Sequence, residues 1–104
     1  MIIQEDFESI SGGGEIALTE IARTYIGYHT AGTYDTGLLA KDVKIVGFST
    51  TYNTMSIVNL YQILDNGNTI NALLETNGSI EIDSNGHIKY THTGNIYLGF
   101  MAFA

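Results

Sequence analysis

Between residues 78 and 92, apolar and polar side chains alternate one for one. Ile80 and Ile82 share one face and Glu81 and Asp83 the other; past Asn85-Gly86, Ile88 and Tyr90 repeat the pattern against Lys89 and Thr91. A period of two puts the isoleucines against a core and the charges in water, so each segment reads as a strand. Glu81 and Lys89 are expected to face each other across the hairpin. Turn signals recur at matching intervals: Asn66-Gly67, Asn77-Gly78, Asn85-Gly86 and Thr93-Gly94-Asn95, with glycines 11, 8 and 8 residues apart. Asn and Gly accept the positive φ of tight hairpins, so the second half predicts a meander of short antiparallel strands.

Two segments break the alternation. Met55 to Leu64 is apolar on both faces, with Val58, Leu60 and Leu64 on one and Ile57, Tyr61 and Ile63 on the other. The last segment sets Ile96, Leu98 and Phe100 against Tyr97, Met101 and Phe103. An antiparallel strand with one solvated face should alternate cleanly. Each is therefore either a central strand covered on both sides or a strand with one face on another subunit. The apolar ending Phe103-Ala104 favours assembly, with Tyr61, Ile63, Tyr97, Met101 and Phe103 as the expected oligomer interface.

The first half is plainer in charge than in pattern. Residues 1–20 hold Glu5, Asp6, Glu8, Glu15 and Glu20 and no base, and Ser11-Gly12-Gly13-Gly14 breaks the run. This predicts a Gly-hinged acidic arm over 1–14 and one domain over 15–104. Glu15 to His29 fits a helical stripe through Leu18, Ile21, Ala22 and Tyr25, but its β-branched and aromatic load fits a strand, the preferred reading. Thr30 to Gly37 reads as a loop. Val43, Ile45 and Gly47 alternating with Lys44, Val46 and Phe48 read as a strand. Six to eight strands and at most one short helix give an all-β fold: a single antiparallel β-sandwich, jelly roll or small barrel.

Composition narrows the function classes. The 104 residues carry 4 Lys+Arg against 11 Asp+Glu, a net charge of −7, so nucleic acid and anionic membrane surfaces are not expected partners. With 44% hydrophobic and 14% charged residues the chain is built to fold. The absence of Cys excludes disulfides, thiolate metal sites and a cysteine nucleophile. Met1-Ile2-Ile3 passes at once to Gln4-Glu5-Asp6, so no signal peptide is expected, and no apolar run reaches the length of a membrane span.

No motif for chemistry emerges. His87 and His92, five apart, fall on opposite faces of one strand, and His29 is distant in sequence, so the three histidines read as unrelated surface residues and no metal is expected. Asp65-Asn66-Gly67-Asn68 and Asp83-Ser84-Asn85-Gly86 resemble fragments of calcium loops, but neither supplies the alternating oxygen ligands and final bidentate acid; turn chemistry accounts for both. Glu75 and Glu81 are the weakest candidates, as a hydrolase pair that would need to flank a cleft. No catalytic residue and no cofactor are expected. The tyrosines carry more. Tyr25, Tyr28, Tyr34 and Tyr52 gather in the first half with Asn, Asp and Thr neighbours. Such rings suit ordinary sheet packing, a protein contact or a sugar, and Tyr28, Tyr34 and Tyr52 are the candidate ligand surface.

A Cys-free chain of this length, rich in Gly, Thr, Asn, Ile and Tyr and closing on Gly94-Asn95-Ile96-Tyr97-Leu98-Gly99-Phe100-Met101-Ala102-Phe103-Ala104, resembles the small accessory virion proteins of tailed bacteriophages: head decoration or cement proteins and tail or fibre β-domains. The resemblance implies a non-enzymatic structural subunit, commonly a homotrimer, assembled in the host cytoplasm and held in the virion by partners such as the major capsid protein. Capsid decoration is the first expectation. A tail or fibre component, or a carbohydrate-binding β-module using surface tyrosines, is the alternative.

Overall fold

β-branched and aromatic residues in short runs, separated by Asn-Gly and Asp-containing turns, fold the described residues into eight strands in two packed antiparallel sheets. The computed structural model describes residues 18–104; the expected acidic arm over 1–14 lies outside them. The strands are β1 (Glu20–His29), β2 (Gly32–Leu39), β3 (Ile45–Ser49), β4 (Ile57–Leu64), β5 (Thr69–Leu74), β6 (Gly78–Ile82), β7 (His87–His92) and β8 (Ile96–Phe103). One sheet runs β1-β8-β3-β4-β5 and the other β2-β7-β6. The described residues contain no α-helix, only single 3₁₀ turns at Ala40–Asp42 and Asp65–Gly67. The all-β sandwich expected from the pattern is what forms, and the region of mixed helical and strand signals is strand from Glu20.

The four turn signals divide into two kinds. Asn66-Gly67 and Asn85-Gly86 close the β4–β5 and β6–β7 hairpins. In the latter, Gly86 takes φ +81° and its N–H donates to the Asp83 carbonyl at 2.9 Å. Asn77-Gly78 and Thr93-Gly94-Asn95 instead carry the chain from one sheet to the other, so the expected meander is interrupted twice. Both kinds need a sharp change of direction with Asn or Gly, and that shared need is why they look alike in sequence. Thr30 to Gly37, expected as a loop, is mostly β2. Its Thr and Tyr residues pair with β7 from Gly32↔His92 to Asp35↔Lys89, after which Gly37 at φ +74° lies in a register break.

The two-faced strands β4 and β8 flank the central β3 in the larger sheet. The inner face of β8 sends Ile96, Leu98, Phe100 and Ala102 toward β7, where Ile88 and Tyr90 meet them. Its outer face buries Met101 and Phe103 with Leu18, Ile45, Ile57 and Leu60. Ile57 is a correction to the strict alternation. The register passes from Phe48↔Asn59 to Ser49↔Ile57, so Val58 is an extra residue. This bulge turns Ile57 to the face of Leu60, away from Tyr61 and Ile63. Gly47 makes room for it, since a Cβ there would lie 2.9 Å from Ile57 Cγ2.

The burial of these residues corrects the expected oligomer interface. Tyr61 and Ile63 belong to the core between the sheets. Met101 is 0% and Phe103 2% exposed within the single chain. Four of the five residues are thus already enclosed and present no surface to a second subunit; only Tyr97 reaches solvent, at 37%.

Candidate functional site

Tyr97 is the centre of an exposed aromatic cluster. It faces outward on β8, directly opposite Tyr28 of β1, and the two rings meet edge to face with centroids 5.6 Å apart. On its other side Tyr52 meets it edge to face at 5.0 Å. Tyr52 stands in the β3–β4 loop, and Tyr97 N–H donates to Thr50 O at 3.2 Å, binding that loop to β8. Tyr28 is 58% and Tyr52 66% exposed, so three rings from three separate segments form one solvent-facing platform. Edge-to-face contact satisfies the ring quadrupoles while leaving faces and edges free.

A bulge builds the platform. In β1 the register steps from Tyr25↔Gly99 to Gly27↔Leu98, with Gly27 at φ +96°. The additional residue, Ile26, packs into the core, and Tyr25 and Tyr28, which strict alternation would set on opposite faces, both turn outward. Tyr25 extends the platform along the sheet. Its hydroxyl accepts from Asn53 N–H at 3.0 Å, and it lines a cleft with Asn53, Thr54, Met55 and Ser56. Gly99 is what lets Met55 lie against the sheet there, since a Cβ would stand 2.7 Å from its sulfur.

Of the three residues expected as a ligand surface, two lie together on the outer face of the larger sheet and one does not. Tyr28 and Tyr52 are brought together, but through Tyr97, which sequence reasoning had assigned to an interface. Tyr34 goes elsewhere: it faces the interior of the sandwich, its ring against Phe100 at 6.2 Å and His29 at 5.5 Å. The cue that was available is Gly27 inside a strand-like run, a common mark of a bulge.

The histidines also need correcting. His92 is 2% exposed, and its Nε2 lies 2.7 Å from Nδ1 of His29, 63 residues away. His87 does point to the opposite face from His92, as alternation requires. It forms a cluster with Asp35 and Asp83, the one group of three metal-type ligands among the described residues. Its atoms are already engaged. Asp83 Oδ1 accepts the N–H groups of Asn85 and His87, Asp83 Oδ2 stands 3.3 Å from Lys89 Nζ, and Asp35 accepts from Gly37 N–H and contacts His87 Nδ1. The Asp83 carboxyl is held below the ordinary value, chiefly by the His87 N–H, and that of Asp35 chiefly by the Gly37 N–H. This is turn chemistry, with Asp83 also paired to the Lys89 ammonium. Glu81 does lie opposite Lys89 in register, but the Lys89 ammonium reaches Asp83.

Glu75 accepts a hydrogen bond from the Tyr61 hydroxyl at 2.8 Å, whereas Glu81 sits on β6 opposite Lys89. A second cleft, lined by Leu18, Lys41, Lys44, Gln62 and Asp65, lies at the other end of the β3–β4 pair from the tyrosines. No helix among the described residues is long and apolar enough to cross a membrane. Comparison with protein-family models, curated proteins and solved structures finds no match to this chain.

Proposed function

We propose that the chain is a non-enzymatic recognition module that binds glycans on the platform of Tyr28, Tyr52 and Tyr97. The observation that carries this reading is the convergence of three exposed rings from β1, β8 and the β3–β4 loop. A pyranose presents an apolar C–H face that an aromatic ring covers, and hydroxyls at its rim that need polar partners. The loop beside the rings, residues 50–56, offers Thr, Asn and Ser and no charge. Neutral sugars fit such a surface, and the net charge of −7 disfavours anionic ones. The engagement of Glu75 by Tyr61 supports the non-enzymatic part of the reading.

The resemblance to phage accessory proteins sets this module in a virion, as a tail or fibre component ahead of a capsid decoration protein. The enclosed Tyr61, Ile63, Met101 and Phe103 leave the decoration reading without its self-association face. Screening a glycan array and then titrating hits by NMR tests the proposal. Binding in the millimolar range or tighter is expected, with Tyr97→Ala weakening it about tenfold, or about 1.4 kcal/mol. No glycan bound at millimolar concentration overturns it. A stable trimer by light scattering would return the weight to capsid decoration.

A further inference from the structure

Beside the platform, on the same outer face, lies the cleft between Tyr25 and the β3–β4 loop, about 330 Å³ in volume and lined by Tyr25, Asn53, Thr54, Met55 and Ser56. Tyr97 and Gly99 share the outward face of β8, and their partners on β1 are Tyr28 and Tyr25. The cleft is therefore one pleat repeat further along the strand than the Tyr28–Tyr97 contact, about 7 Å away. The two regions also share a wall, because Tyr52 and Asn53 are consecutive residues of one loop. At its base two apolar side chains converge over bare backbone: a Cβ on Gly99 would stand 2.7 Å from Met55 Sδ and 3.5 Å from Tyr25 Cδ1.

We infer that this cleft is a second subsite, which takes the next unit of a linear neutral oligosaccharide whose first unit lies on the platform. The inference rests on reading the platform as a glycan surface, and it adds a direction and a minimum length to the ligand. The lining holds both halves of what a sugar needs. Met55 and the Tyr25 ring offer apolar surface to C–H groups. The Tyr25 hydroxyl accepts from Asn53 N–H at 3.0 Å, which leaves its own hydrogen to donate. The Asn53 side-chain amide and the Ser56 hydroxyl have no protein partner among the described residues and supply further donors and acceptors.

The subsite is held in shape before any ligand arrives. Asn53 takes φ +51°, a left-handed conformation, and its N–H is fixed to Tyr25 from across the cleft. Ser49, 0% exposed, donates from Oγ to Thr54 O at 2.9 Å, and Tyr97 N–H holds Thr50 O. A loop tied at these points has little freedom left to lose, so binding costs little in ordering. Among the described residues, no charged side chain lines the cleft. Next along β1 on that face, Arg23 is paired with Glu20 at 2.6 Å. Such a lining favours a neutral sugar over a sialylated or sulfated one.

Chain length is the test. Glucose, galactose, mannose, xylose and N-acetylglucosamine, each as the single sugar and as its linear dimer and tetramer, are titrated by NMR against the full chain. In a series that binds, the longer members should bind about tenfold more tightly than the single sugar. The Tyr97 ring signals should move with every member, and the Met55 methyl and Asn53 side-chain amide signals with the longer ones. Ser56→Phe, which fills the cleft, should bring the ratio of tetramer to single-sugar affinity down to about one. Equal affinity along every series that binds overturns the inference and leaves the platform standing. So do Met55 and Asn53 signals that stay still in the unmodified protein while the tetramer saturates the Tyr97 ring. If no member of any series binds at millimolar concentration, the platform reading falls and the subsite with it.

Discussion

Two groups of tyrosines, one between the sheets and one on the outer face of the larger sheet, show how surroundings divide a single residue type into two roles. Inside the sandwich, Tyr61 and Tyr90 are 1% and 0% exposed and every hydroxyl is engaged. Tyr90 stacks on Phe48 with centroids 4.2 Å apart and its hydroxyl accepts from Asn59 Nδ2 at 2.6 Å, while Asn59 Oδ1 accepts from Thr76 N–H at 2.8 Å. Tyr61 donates to Glu75. Outside, Tyr28 and Tyr52 each touch Tyr97, and the hydroxyls of the three have no protein partner among the described residues. The buried pair is committed to the fold. The exposed trio has unspent capacity for contact, and that difference is the ground on which we propose it as a recognition surface.

The sharpest way to break this contrast is at Tyr90. Tyr90→Ala removes a fully enclosed ring and its stack on Phe48, and should cost about 3–5 kcal/mol by urea denaturation, enough to unfold a marginal domain. Tyr90→Phe keeps the ring but removes the acceptor for Asn59, and should cost about 1–3 kcal/mol. A loss below half a kcal/mol in either would mean that the buried pair is no more committed than the exposed trio.

A gentler separation comes from alkali. Burial holds the Tyr90 phenol up to about 12 against an ordinary value near 10, with the Glu75 charge adding to it. Tyr61 is pushed up as well, first by burial and then by its bond to Glu75. Between pH 10 and 12 the unfolded chain has lost the Tyr90 proton while the folded chain still binds it. The contribution is therefore complete below pH 10 and is lost as pH rises through 12. Stability measured at stepped pH should fall across that window, with a shallower slope in Tyr90→Phe. Identical slopes would remove the case for a titrating Tyr90.

Much of the fold was legible because its strands obey local rules. Ile80, Ile82, Ile88 and Tyr90 follow strict alternation, and Asn85-Gly86 closes their hairpin. The failures come where one residue breaks the count. Val58 and Ile26 each shift the parity of what surrounds them, which moves Ile57 to another cluster and brings Tyr28 beside Tyr97. Parity along a chain does not reveal bulges, because they are settled by pairing with a strand far away. The same holds for His29 and His92, whose contact depends on two crossings between sheets. The apolar double faces of β4 and β8 were read correctly as covered on both sides or shared; the chain itself supplies the cover for Tyr61, Ile63, Met101 and Phe103. Tyr97 was singled out for contact on an outward face, and it is the one of the five expected interface residues that the structure leaves exposed.

The smallest expected effect on stability is the most informative about function. Tyr52 is 66% exposed and touches the sheet through the edge of Tyr97, so Tyr52→Ala deletes little buried area and no hydrogen bond. Its unfolding free energy should stay within about 0.5 kcal/mol of the unmodified protein. Glycan affinity in the same variant should nonetheless drop several-fold, because one wall of the platform is gone. Conserved stability with lost binding is the signature of a residue kept for contact rather than for packing. If Tyr52→Ala instead unfolds the domain as Tyr90→Ala does, the loop is part of the core, and the distinction between the two tyrosine groups is one of position only.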